Sequence, residues 1–236
     1  MLEDTVRMVT GFELDFYPGD RYQYVTVNYD ILGYLIQIVS GQTYEEFIQQ
    51  NILSPLALHR TSMYSEDVFD NKKLSTGHKI TFFKARPFEA PVYRGNTPAG
   101  YILSDAYDME RWMRIQMGIE DIPEMYRRII EKSHIGNTSV TAMNNYDYAA
   151  GWLVNVNGSD IRHDGSNPGF SSMLIMYPKY QVGICVLANM NSSVPEYLAE
   201  NILNLLHDKE IKEYHSDFYM SIDALFSFIL IGAIFI

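Results

Sequence analysis

Beyond residue 146 the apolar pattern of this chain changes period, and that change constrains its fold more than anything else in the sequence. Tyr148–Val156, Asp160–His163, Ser171–Tyr177 and Val182–Ala188 have the alternation and β-branched content of strands, and Pro178-Lys-Tyr-Gln181 supplies the turn of a hairpin. Before that point the period is helical. Tyr29, Leu32, Leu35, Ile36 and Val39 recur at helix spacing, and Ser40-Gly41 ends the run as glycine beyond a helix C-terminus does. Helices first, then an antiparallel strand group, then a further helix over Pro195–His207 make an α+β chain. A βαβ parallel sheet does not fit.

Local signals fill in the helical part. Thr43-Tyr-Glu-Glu46 is a capping box, in which a hydroxyl takes an amide three residues on and a carboxylate reaches back. A helix follows to about Ile52, and Pro55 breaks it. Residues 59–97 read as irregular, and Thr97-Pro-Ala-Gly100 as a tight loop. Asp105 opens another helix with Met109, Trp112, Met113 and Met117 as its apolar face, and 123–135 gives a short one. Residues 1–23 read as a leader ending in the turn Pro18-Gly19-Asp20. In the last helix Leu198, Ile202, Leu205 and Leu206 share one face. A polar linker at 208–219 leads to an apolar segment, 220–236, whose only charge is Asp223. Within it Ala224–Ile236, apolar apart from Ser227, is shorter than the ~20 residues that span a bilayer. The expectation is a truncated transmembrane helix, the alternative a buried C-terminal helix.

Composition excludes some functions. A net charge of −11 argues against a nucleic-acid surface, which needs clustered Lys and Arg. The one cysteine, Cys185, lies in an apolar strand and reads as a small hydrophobe. No Cys/His cluster has metal spacing, and no metal or organic cofactor is implied.

The residues with chemical potential fall in four segments. The first is Pro18-Gly19 followed by Tyr24-Val25-Thr26. The second is Thr97-Pro98-Ala99-Gly100 with Ser104 and Asp108-Met109 behind it. The third is Gly151-Trp152, and the fourth His163-Asp164-Gly165-Ser166-Asn167-Pro168-Gly169-Phe170. In that order they resemble the motifs of the serine hydrolases of the β-lactamase and penicillin-binding type, on the class C β-lactamase side, over roughly 18–207. The resemblance implies an antiparallel sheet flanked by helices. It also implies that the first strands and the nucleophile-bearing helix of that fold are missing here, so 1–207 would be a partial domain with an exposed sheet edge and apolar face.

The resemblance also implies roles. Acyl transfer needs an activated hydroxyl, a proton acceptor and an oxyanion hole. Tyr24 falls on the motif tyrosine, whose phenol, with an ordinary pKa of about 10, acts as a base only beside positive charge. His163 stands where other branches carry lysine, and would donate a hydrogen bond to a substrate carboxylate or to the tyrosine. Gly165 would let substrate approach the strand, and the N–H of Ser166 would serve the oxyanion. Thr26 would bind substrate where the family has asparagine, with a shorter reach. The family's Ser-x-x-Lys occurs nowhere in the 236 residues; Ser75-Thr-Gly-His-Lys79 is one residue too long. Two functions follow. One is a fragment of a bacterial, membrane-anchored, outward-facing serine hydrolase acting on peptidoglycan peptides, β-lactams or small esters and amides. The other is a non-catalytic module that binds a wall peptide or a partner, or a decayed gene product.

Overall fold

A computed structural model of the chain describes residues 1–63, 74–214 and 218–234. The parts of the sequence expectations that fall on 64–73, 215–217 and 235–236 lie outside the described residues.

Among the described residues ten strands form three sheets. The largest has six strands in the order β10-β9-β8-β7-β6-β5, where β5 is Thr141–Met143, β6 Tyr146–Tyr148, β7 Leu153–Asn155, β8 Ile161–Asn167, β9 Phe170–Tyr177 and β10 Val182–Ala188. The order is that of the sequence, so each strand pairs with its chain neighbour and no crossover is needed. With the flanking helices this is the expected α+β arrangement. Two short pairs complete the set, β1 (Ser62–Met63) with β4 (Ile102–Leu103) and β2 (His78–Thr81) with β3 (Lys84–Pro87).

The single strand expected over Tyr148–Val156 is instead a hairpin. Tyr146 faces Asn155 and Tyr148 faces Leu153 in the register of β6 and β7. Gly151, at φ +85°, takes the chain round the bend, a conformation that side-chain-bearing residues rarely adopt. The region 59–97, expected to be irregular, contains β2 and β3.

The chain divides into two compact units. The first comprises residues 1–71, 92–163 and 175–183. Its helices are α1 (Leu2–Val9), α2 (Val27–Ser40), α3 (Tyr44–Ile48, continued by a wider π-type turn over Gln49–Leu53), α4 (Thr97–Gly100), α5 (Ala106–Gln116) and α6 (Glu124–Ser133). The expected leader therefore starts as a helix: α1 buries Leu2 and packs against α2. Gly41 ends α2 in the left-handed region at φ 69°, as its sequence required. The capping box also forms. Thr43 Oγ1 accepts the Glu46 amide at 3.2 Å, and Glu46 Oε2 accepts the Thr43 amide at 3.0 Å. Those bonds hold the Glu46 carboxyl below its usual range.

The residues Thr97–Gly100, expected to be a loop, make a single helical turn against α2. A Cβ at Gly33 would collide with Pro98, so glycine sets how closely the two elements approach. Asp105 caps α5 by accepting the Tyr107 and Asp108 amides. Buried Asp108 then accepts the Arg60 amide at 2.8 Å and the Thr61 hydroxyl at 2.7 Å, tying α5 to the segment before β1. The core of this unit is Leu2, Tyr44, Leu53, Leu56, Leu58, Met63, Ile115 and Ile122.

The second unit comprises residues 72–91, 164–174 and 184–236. It holds β2, β3 and two helices, α7 (Val194–Leu206) and α8 (Phe218–Ile234). In α7 the buried residues are Pro195, Ala199 and Asn201. The expected apolar face is exposed instead, with Leu198, Ile202, Leu205 and Leu206 open by 40% to 60%. Cys185 is partly buried, and burial pushes its thiol up to about 11, in line with a packed hydrophobe rather than a reactive group.

The C-terminal apolar segment forms α8 over 17 residues. Among the described residues no helix is long and apolar enough to cross a membrane. Asp223, its one charge, accepts the amides of Phe82 and Phe83 at 2.9 and 2.7 Å, and Phe83 packs edge-on against Phe228. The helix is thus fastened to the turn between β2 and β3.

Candidate active site

Strand β8 and the segment leading into α2 supply the residues that the sequence singled out. In the first unit, Tyr24 and His163 come together with ring centroids 6.1 Å apart. Two tyrosines that the sequence argument did not assign to the site join them. Tyr148, at the end of β6, lies 6.1 Å from Tyr24 and 6.4 Å from His163. Tyr29, one turn into α2, lies 6.1 Å from Tyr24, and its hydroxyl is in hydrogen-bond contact with the Tyr148 hydroxyl. Tyr22 packs on Tyr148 at 5.3 Å.

Burial raises the Tyr148 phenol well above its usual range, and the hydrogen bond with Tyr29 adds to the shift. The shift favours the neutral phenol of Tyr148, which is in hydrogen-bond contact with Tyr29. Tyr24 is 47% exposed, so it is the member of the cluster that a ligand meets first.

Thr26 opens α2. It is exposed and makes no side-chain capping hydrogen bond. Arg162, just before His163 on β8, is turned to Asp160 at 2.8 Å and lies over the Tyr146 ring at 4.8 Å. Neighbouring residues of a strand face opposite ways, so the arginine side chain leaves the face that carries His163.

Gly165 and Ser166 follow on β8 and belong to the second unit. A Cβ at Gly165 would collide with Ser172 Oγ on β9. The missing side chain thus makes room for the adjacent strand, a structural need that the sequence argument did not foresee. Ser166 is exposed, and its hydroxyl donates to Asn191 Oδ1 at 3.3 Å. Ser75 and Lys79 do not share a helix. Lys79 lies on β2 with its ammonium 4.1 Å from the Phe88 ring centroid, and a Cβ at Gly77 would press on Phe170 at 2.8 Å.

Among the described residues no cluster of His, Cys, Asp or Glu could hold a metal ion. A cavity lies elsewhere in the first unit, lined by Ile115, Gln116, Glu120, Arg127, Ile130 and His134. There His134 Nε2 bonds Gln116 Oε1 at 2.8 Å, and burial lowers the pKa of the imidazole.

Comparison with known proteins decides the family. The Beta-lactamase family model matches residues 2–209. The chain belongs to the β-lactamase family. It is 31% identical over 202 residues to the protein flp of Staphylococcus aureus (strain COL), a match that takes 85% of this chain and 40% of that one. It is 26% identical over 220 residues to the unguisins hydrolase ungD' of Aspergillus campestris, covering 89% of this chain and 41% of that protein. Among solved structures, the octameric penicillin-binding protein homologue from Pyrococcus abyssi superposes with a TM-score of 0.76 at 27% identity, over 90% of this chain and 49% of that one. A class C β-lactamase from Rhodobacter sphaeroides gives 0.73 at 16% identity, over 87% and 65%, which shows the shared fold alone. The chain thus spans about 40% of the length of the curated relatives it matches.

Proposed function

We propose that this chain forms the part of a β-lactamase-related serine hydrolase that receives the acyl substrate and handles the proton. Tyr24 and His163 serve as the proton-transfer pair, Thr26 and Gly165 as substrate contacts, and the N–H of Ser166 as an oxyanion donor. The observation that carries the proposal is the contact of Tyr24 with His163, two residues 139 positions apart in sequence that the family's motifs require together. The substrates are small esters and amides, wall peptides or β-lactams, and the domain works outside the cell membrane. Because the 236 residues contain no Ser-x-x-Lys, catalysis needs a nucleophile from further polypeptide.

A fluorophosphonate or fluorescent β-lactam tests this directly. The chain alone is expected to remain unlabelled. Label is expected once a polypeptide carrying Ser-x-x-Lys is added, on that polypeptide, and to fall at least tenfold with Tyr24→Phe. Label on the 236-residue chain itself would overturn the need for an outside nucleophile. The missing Ser-x-x-Lys also favours a second function, ligand binding without turnover, in which case no added segment restores labelling.

A further inference from the structure

The hairpin of β2 and β3 is a positive island in an acidic chain. Between His78 and Phe88 stand Lys79, Lys84 and Arg86 and no Asp or Glu, against a net charge of −11 for the whole. The register sets Lys79 opposite Arg86 and Thr81 opposite Lys84. Residues two apart on a strand share a face, and so do residues directly opposite across a pair. All three cations therefore stand on one face of the hairpin, and all three are exposed. Like charges directly opposite are unfavourable on their own, so the pair of Lys79 and Arg86 suits a face that meets an anionic partner.

The element fastened to this hairpin is apolar. Asp223 and Ser227 are four residues apart and so lie on one side of α8. Both are turned to protein: Asp223 accepts the amides of Phe82 and Phe83 at the hairpin tip, and Ser227 is 3% exposed. The sequence has no charged residue after Asp223. Leu225, Phe226, Phe228, Ile229, Leu230 and Ile231 are 42% to 66% exposed, and consecutive positions point round the helix. The tip itself carries Phe82 and Phe83, both exposed.

This combination favours lipid over protein as the occupant. A helix that docks on a protein partner shows an apolar stripe and keeps polar residues opposite it. Here the polar side is already taken by the hairpin, and every free side is apolar. A membrane surface offers the two matching layers, hydrocarbon for the helix and phosphates directly above it for the cations. Lysine and arginine reach such phosphates with their stems along apolar surface.

We infer that the hairpin of β2 and β3 and helix α8 together dock on a membrane that contains anionic phospholipids. Helix α8 lies along the surface with its free sides in the boundary between headgroups and acyl chains, while Lys79, Lys84 and Arg86 meet lipid phosphates. The helix does not have to span the bilayer, and the inference does not depend on the active-site assignment.

Flotation of the full chain with vesicles of phosphatidylcholine, alone or with one third phosphatidylglycerol, tests it. Binding to the anionic vesicles is expected to be at least tenfold stronger at about 0.1 M salt, and the preference is expected to shrink as salt rises. The double substitution Lys84→Gln and Arg86→Gln is expected to remove the preference. Ile229→Glu is expected to abolish binding to both vesicles. Leu35→Glu, at an exposed apolar position of α2, changes net charge by the same amount and is expected to leave binding within twofold. In Phe226→Trp, lipid brominated in its acyl chains is expected to quench the added fluorescence. Equal binding to both vesicles overturns the inference, as does a loss with Leu35→Glu equal to that with Ile229→Glu, or binding without quenching. Absence of binding also overturns it; a stable dimer in light scattering that Ile229→Glu dissociates then assigns the face to a second copy of the chain.

Discussion

The two units of this protein differ in how far they gather their apolar residues into a core. The first gathers eight of them into one buried cluster, at whose centre Ile115 is 1% exposed. The second lays leucines and phenylalanines along two helices and leaves them open: Leu205 is 57% exposed on α7, Phe226 60% and Phe228 66% on α8. Burying a leucine or isoleucine side chain contributes about 1.5–3 kcal/mol, so a stripe left in water forgoes several kcal/mol. The first unit leaves Leu35, Ile38 and Val39 of α2 open as well, so the difference lies in the buried cluster that it assembles and that the two helices of the second do not. Contiguous exposed apolar surface also favours association.

The strongest way to break this contrast is to cut into the first core. Ile115→Ala removes a side chain with almost no exposure, and the cavity left behind adds to the lost transfer energy. The expected loss is about 3 kcal/mol, measured as a fall in the urea midpoint at unchanged slope. A loss below about 1 kcal/mol would mean that the first unit is no better packed than the helices of the second.

How much of this was legible depends on where each element keeps its information. Helix α2 was readable because its apolar spacing, its terminal Gly41 and the adjoining capping box are all local. The hairpin of β2 and β3 was not. Its turn is Phe82-Phe83, both with left-handed backbone (φ 51° and 62°), and neither residue signals such a turn. What steadies it is Asp223, about 140 residues away, accepting both amides. The α7 stripe was legible as one apolar face, but its exposure was not, since periodicity finds a face and not what covers it. At the site, the pairing of Tyr24 with His163 was legible from motif order. Tyr148 was not, because its place depends on the bend at Gly151; that glycine was the available signal. Gly165 was assigned to substrate, yet its nearest constraint is Ser172 on β9, a cross-strand partner invisible in sequence.

A second test sharpens the contrast from within the well-packed unit, which contains one conflict. Asp30, on α2, is fully buried, and its carboxyl oxygens make no hydrogen bond of normal geometry. Desolvation raises its pKa from 3.8 to about 6, against a smaller opposing effect of the Ala99 amide. The folded state thus holds this proton more tightly than the unfolded chain does. The favourable contribution is complete below about pH 4 and is lost as pH rises through 6. Asp30→Asn, neutral at every pH, is expected to stabilise the protein by about 2 kcal/mol at pH 7.5 and by nearly nothing at pH 4. Urea melts of both proteins at the two pH values measure it. A gain of the same size at pH 4 would show that ionisation is not the cause.

The smallest expected effect bears most directly on the second unit. Leu205→Glu places a charge where the wild-type side chain is 57% exposed, in the last turn of α7. If that face is as open in solution as it is here, the change in unfolding free energy stays within about 0.5 kcal/mol, the usual range for surface substitutions. A carboxylate near a helix C-terminus opposes the helix dipole by a few tenths of a kcal/mol, which sets the expected sign as slightly destabilising. The same charge interrupts the Leu198, Ile202, Leu205 and Leu206 stripe, so self-association in light scattering should fall even as the melt hardly moves. A loss of 2 kcal/mol or more would mean instead that Leu205 is covered by protein in solution, and that the second unit holds a core of its own after all.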